Sequence, residues 1–255
     1  MTRAREGDRR GATLVLVLWL LLLTGGLAAG VTTAARSATS AAGGQAARVH
    51  ARYAAESGVE AAVVTLTGAL QTSEANPVAR RAMVSRLDET VRATLGDSIA
   101  VGAHWARVAV VDASARLDLN LADSASLVRL LAQAGSVDAA VRTVRALREA
   151  IRGDGRVARP LTSLDDATAI PGVDIALLER VASDLTVDGD GQVNVTTASP
   201  AVLAAASGGR VVEPTRILLI ARGWTVGHPA TVEIQAVYAL EGTRLTLVRW
   251  REQER

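Results

Sequence analysis

RRGATLVLVLWLLLLTGGLAAGV, residues 9–31, is the stretch whose reading decides the fold. Ala12 to Val31 carries no charged side chain, while Arg3, Arg5, Arg9 and Arg10 precede it, relieved only by Glu6 and Asp8. A helix of about 20 apolar residues crosses the roughly 30 Å hydrocarbon core of a bilayer. Arginines beside one end keep that end in the cytoplasm, so the bulk of the chain is expected on the far side. The run continues into Ala-, Ser- and Thr-rich sequence with Arg36, Arg48 and Arg52.

Three readings of this start compete. A cleaved secretory signal would cut near Ala28-Ala29-Gly30, although the apolar run is long for that class. An uncleaved anchor fits the length. The third reading uses Gly11: a glycine between a short basic leader and an unbroken apolar helix resembles the site at which prepilin peptidase removes the leader, here between Gly11 and Ala12. Most pilins and major pseudopilins carry Glu at the fifth position after the cut; that position is Leu16. A carboxylate in lipid is expensive unless paired, and Leu16 suits a subunit that docks beneath no other. Gly25, Gly26 and Gly30 are either ordinary membrane-helix glycines or points of close packing against a neighbouring helix.

Outward from the apolar run, residues 32–71 read as helix. Ala55, Val59, Ala62, Val63, Leu66 and Leu70 recur at spacings of three and four, and Gly43-Gly44 predicts a weak point or bend. Asn76-Pro77 stops the helix. Residues 78–95 form an amphipathic helix with Val84, Leu87, Val91 and Leu95 on one face. Residues 105–111 are β-rich, and 116–121 alternate as a half-buried strand. From 123 the period becomes helical, with Asp123 and Ser136 as caps and further short helices on either side of Ile170-Pro171-Gly172-Val173. Strands return at 217–221, 231–238 and 244–250, the last two joined through Glu241-Gly242.

Several segments resemble one family, the minor pseudopilin K of type II secretion systems. They are Ala54-Ala55-Glu56-Ser57-Gly58-Val59-Glu60 after the membrane helix, the two segments opened by Leu119-Asn120 and Val193-Asn194, the closing LTLVRWRE, and the missing acid at Leu16. The resemblance implies an α+β, pilin-like fold: a long N-terminal transmembrane helix spine and an antiparallel sheet head with an inserted α-helical domain. The expected organisation is a leader at 1–11, a transmembrane helix at 12–31, its periplasmic extension at 32–71 and the first part of the α/β head at 72–113. An α-helical insert with a helix-hairpin-helix-like turn follows at 114–212, then the C-terminal strands of the head at 213–255.

The same resemblance implies a structural role at the tip of the pseudopilus, with Leu14, Leu16, Leu18, Leu20 and Leu23 on the filament and membrane helix. Implied partners are other minor pseudopilins, prepilin peptidase, the inner-membrane secretion platform and membrane lipid. The implied location is the inner membrane, single-pass, with the N-terminus cytoplasmic and the bulk periplasmic. A minor pilin of a type IV pilus is the alternative within this class. A membrane-tethered DNA receptor using the helix-hairpin-helix is the alternative outside it.

Other chemistry is thinly represented. The chain has no Cys, which excludes disulfides and Cys-ligated zinc. All its Lys+Arg positions are Arg, and with a net charge of only +2 and acids interspersed throughout, a basic nucleic-acid surface is not expected. Around Ile170–Val173 stand Asp165, Asp166, Asp174 and Glu179, which point to a structural turn rather than a phosphate clamp. Asp188-Gly189-Asp190-Gly191 supplies oxygen ligands on a tight loop, so Asp188 and Asp190 are weak calcium candidates. Gln192 and Ser199 stand where an EF-hand needs acids. The family's metal-binding acidic segment is thinned here to residues 147–156, LREAIRGDGR. His50, His104 and His228 lack metal spacing, and neither a Gly-x-Ser-x-Gly elbow nor a phosphate loop occurs; an enzyme is not expected.

Overall fold

The computed structural model describes residues 5–153 and 159–254, with side chains from 13 to 153 and from 159 to 253. Residues 1–4 of the expected leader, and Asp154 to Arg156 of the thinned acidic segment, lie outside the described residues. The first helix, α1, spans Arg5–Ser73. The helix continues through Gly43-Gly44, the predicted weak point or bend, and both glycines remain helical. Each costs about 1 kcal/mol of helix propensity, and the Ala-rich turns on either side carry the hydrogen-bond ladder through them.

Residues 50–255 form a unit of their own. Asn76 ends the preceding helix and caps α2 (Pro77–Val84), its side chain accepting from the Val78 and Ala79 N–H groups. The single helix predicted over 78–95 breaks at Ser85-Arg86 into α2 and α3 (Leu87–Leu95). The sheet consists of β1 (Ile99–Val101), β2 (His104–Asp112), β7 (Arg216–Thr225), β8 (Thr231–Glu241) and β9 (Arg244–Glu254), all antiparallel, in that spatial order. One face, carrying Val110, Ile217, Leu219, Ala221, Ile234 and Ala236, packs on Ala51, Ala55, Val59, Ala62, Leu66 and Leu70 of α1.

Small residues bring this helix close. A Cβ on Gly58 would stand 3.0 Å from Val108 Cγ2 and 3.1 Å from Ala106 Cβ, while one on Gly223 would overlap the Ala51 carbonyl. The glycine of the AAESGVE segment is therefore a contact residue. Where β1 no longer covers β2, the Val110 N–H donates to Asp88 of α3 at 2.9 Å.

Residues 113–215 leave the sheet after β2 and return at β7. They hold α4 (Ser124–Ala132), α5 (Val137–Arg152), α6 (Leu164–Thr168), α7 (Ile175–Arg180) and α8 (Pro200–Ala205). Two short parallel bridges tie them together, β3 (Leu117–Asp118) with β4 (Leu185–Thr186) and β5 (Val193–Asn194) with β6 (Arg210–Val211). Their own core is leucine-rich, with Leu119, Leu127, Leu130, Leu131, Leu147 and Leu177 fully buried. Asp123, Ser136, Ser163, Asp174 and Ser199 cap the five helices, Ser163 in a reciprocal capping box with Asp166.

The alternating strand predicted over 116–121 is absent beyond Leu117–Asp118. The Asp118 carboxylate accepts from the N–H groups of Asn120, Leu121 and Gly189, which turns the chain instead. The helix after Ile170-Pro171-Gly172-Val173 ends at Arg180, and a 3-10 turn, Ala182–Asp184, follows.

Candidate functional site

Two surfaces stand out. The first is the apolar stretch of α1. Leu14, Leu16, Leu18, Leu20 and Leu23 are all more than half exposed, and the most apolar 18-residue window has mean hydropathy 2.4 with none of it buried. Its polar groups are satisfied within the helix. Thr24 Oγ1 donates to the Leu20 carbonyl at 2.8 Å, and Thr32 and Thr33 donate to carbonyls one turn back. A segment in hydrocarbon must meet this condition, because no water is there to serve it. An exposed band of leucines in water forfeits about 1.5–3 kcal/mol per side chain relative to burial, so the band needs lipid or neighbouring helices around it. Gly11 and Ala12 lie within α1, and their side chains fall outside the described residues.

The second surface is the seam where residues 113–215 meet the sheet. At the exit of β2, Asp112 accepts from the Ser114 N–H at 2.8 Å, Asn194 Nδ2 at 2.7 Å and Thr197 Oγ1 at 2.5 Å. Burial pushes its carboxyl above the usual range, and these hydrogen bonds pull against that. Ser114 Oγ accepts from the N–H groups of Thr215 and Arg216, so the two ends of the segment are stitched together. The paired asparagines of the sequence each tie distant segments together, by different bonds. Asn120 exchanges two hydrogen bonds with the Leu161 backbone, and Asn194 reaches back to β2.

The calcium candidates fall on this seam and apart in role. Asp188 is buried, and its carboxylate faces two arginines of β9: Arg249, and Arg251 at 2.6 Å. Asp190 accepts from the Gln192 N–H at 3.1 Å, closing the loop. Calcium takes six to eight oxygen ligands. Asp188 is already neutralised by guanidinium groups, and among the described residues no group of three or more His, Asp or Glu is placed to hold a metal. The arginines were the unread half of this pair. Their spacing of two on one strand, which puts both on the same face, was the available signal.

Arg249 also donates to the Val187 carbonyl at 2.9 Å and Arg251 to that of Thr162, so β9 grips the inserted segment at three points. Across the sheet, buried Glu233 pairs with Arg222 at 2.6 Å. The acids around Ile170–Val173 have local duties as well. Asp166 closes a capping box, and Asp174 caps α7 after Gly172 at φ +88°. A cavity of about 490 Å³ lies between α2, α3, the end of β2 and the insert, bordered by Arg86, Asp88, Asp112, Arg116 and Asp184.

No protein-family model matches the chain, and no curated protein matches it. Among solved structures it is similar to a chain of the GspK-GspI-GspJ complex from the type 2 secretion system of enterotoxigenic Escherichia coli. The TM-score is 0.59 at 12% identity, over 86% of this chain and 100% of that one. At that identity the likeness concerns the fold: this chain has a pilin-like α+β fold, with a long N-terminal apolar helix and an antiparallel sheet, resembling that of type 2 secretion pseudopilins.

Proposed function

We propose that the chain is a minor pseudopilin of the K kind, acting at the tip of a type II secretion pseudopilus and assisting export of folded proteins across the outer membrane. The observation that carries this reading is an unburied apolar helix, with leucine at position 16, in a chain whose pilin-like head bears a helical insertion between neighbouring strands. On this reading prepilin peptidase cuts between Gly11 and Ala12. Residues 12–31 then anchor the subunit in the inner membrane with its N-terminus cytoplasmic, and the head works in the periplasm with other minor pseudopilins above the secretion platform.

An internal filament subunit matches a neighbour's terminal charge with a carboxylate, because an unpaired charge in lipid costs several kcal/mol. A tip subunit docks under nothing and needs none. Its assembly rests on apolar packing along Leu14–Leu23 and on contacts of its head.

The test is secretion of a native substrate in a strain lacking the wild-type copy, with the N-terminus of the membrane-derived protein sequenced alongside. The protein begins at Ala12, the helix without its head fails to support secretion, and Leu16→Glu secretes no better than wild type. An intact Met1, a start beyond Gly30, an active headless helix or an improved Leu16→Glu would each refute the reading. So would loss of surface pili with secretion intact.

A further inference from the structure

Between the inserted segment and the sheet face opposite α1 lies a cleft of about 250 Å³, floored by Leu218 and Ile220 and bordered by Arg116, Arg251 and Gln253. Its donors are not all spent. The terminal nitrogens of Arg251 serve Asp188 and the Thr162 carbonyl, but its Nε is buried with no hydrogen-bond partner. The Arg116 guanidinium makes no hydrogen bond or ion pair among the described residues. Asp184 and Asp112 act on it from beside the neighbouring cavity, at longer range. The Gln253 side-chain amide is likewise unengaged.

Two arginines, Arg116 and Arg251, line the cleft together with two carboxylates, Asp188, which is buried and already paired with Arg249 and Arg251, and Asp165, which is exposed at the rim. Burial lowers the pKa of Arg116 and Arg251, and a buried cation short of partners is costly.

We infer that this cleft is a binding site for an oxyanion, a carboxylate or phosphate group held by Arg116, Arg251 Nε and the Gln253 amide. Guanidinium forks match the oxygen spacing of both groups, and charge-assisted hydrogen bonds are the strongest available to them. The cavity is large enough for an acidic side chain, a chain terminus or a phosphate group. Because Arg116 belongs to the insert while Arg251 and Gln253 belong to β9, the anion ties the two together and stabilises the folded head by mass action.

The test is thermal unfolding of the full chain in detergent micelles, titrated separately with inorganic phosphate and with acetate in chloride buffer. At least one anion raises the midpoint saturably. Arg116→Gln weakens half-saturation by about tenfold or more, as expected for losing hydrogen bonds to a charged group, and Gln253→Ala weakens it severalfold. A response to acetate at equal or lower concentration assigns a polypeptide carboxylate; a response to phosphate alone assigns a phosphate-bearing molecule. No saturable response to either anion overturns the site. Equal responses in wild type and Arg116→Gln also overturn it, since general salt exclusion acts on both alike. Should Arg116→Gln fail to fold, an unaltered titration of Gln253→Ala overturns it.

Discussion

The two cores of residues 50–255 are built on opposite principles. The sheet core takes α1 at close range through Ala51, Ala55, Gly58 and Ala62 against Ala106, Ala221 and Gly223, so backbone nearly meets backbone. The core of residues 113–215 is filled by leucines on short, separately capped helices, and polar stitches such as Asn120–Leu161 hold the connecting loops. The first has no room to gain an atom; the second is vulnerable to losing atoms. Overpacking and cavity formation are distinct costs, and each region is exposed to a different one.

That contrast breaks first at Gly223. Gly223→Val drives a branched side chain into the Ala51 carbonyl and the Ala55 N–H, both backbone groups that cannot swing aside. The expected loss is about 4 kcal/mol or more, a large part of the 5–15 kcal/mol or so that a domain possesses. Denaturant unfolding of the head, followed by tryptophan fluorescence from Trp105, Trp224 and Trp250, measures it. A loss below about 1 kcal/mol would show that helix and sheet have slack between them.

Leu130→Ala sharpens the comparison from the other side. Leu130 is fully buried in the inserted core, and its truncation costs about 3 kcal/mol. If the two cores are separate cooperative units, amide exchange accelerates in α4, α5 and α8 while β7 and β8 stay protected. Equal acceleration in β7 and β8 would make them one unit.

Much of this was legible because it is local. Asn76-Pro77 stops a helix by its own stereochemistry, Asp123 and Ser136 cap by theirs, and the alternation in 231–238 and 244–250 marks strands that pair through the next turn. The apolar run and the pilin-like class were legible from composition and segment resemblance. What failed was non-local. Residues 116–121 alternate like a strand, yet Asp118 is captured by the Gly189 N–H, which no periodicity reveals. Asp188 resembles a metal ligand until Arg249 and Arg251, some sixty positions on, arrive beside it. At Gly43-Gly44 the helix formers flanking a local breaker keep the chain helical.

The smallest effect separates cap from charge in the inserted region. Asp123 caps α4 through the Ser126 N–H at 2.8 Å and also accepts from the hydroxyls of Ser126 at 2.6 Å and Ser207 at 2.7 Å. Those hydroxyl bonds, first that of Ser126 and then that of Ser207, hold its carboxyl well below the usual range. A folded pKa depressed below the unfolded value of about 3.9 means that the unfolded chain binds the proton first. The stabilisation from Asp123 is therefore fully present above about pH 4 and is lost as pH falls through the lower folded value. Asn is nearly as good a cap as Asp, so Asp123→Asn retains the helix start and loses only the charge-assisted part. At pH 7 it should cost about 1 kcal/mol or less, since the group is exposed and solvent screens it. The gap from wild type should narrow steadily as pH is lowered below about 4. Denaturant titrations of both proteins between pH 7 and the acid limit of folding measure that gap. A difference that stays constant with pH would mean that Asp123 contributes through cap geometry alone, and that the inserted region owes nothing to its charge.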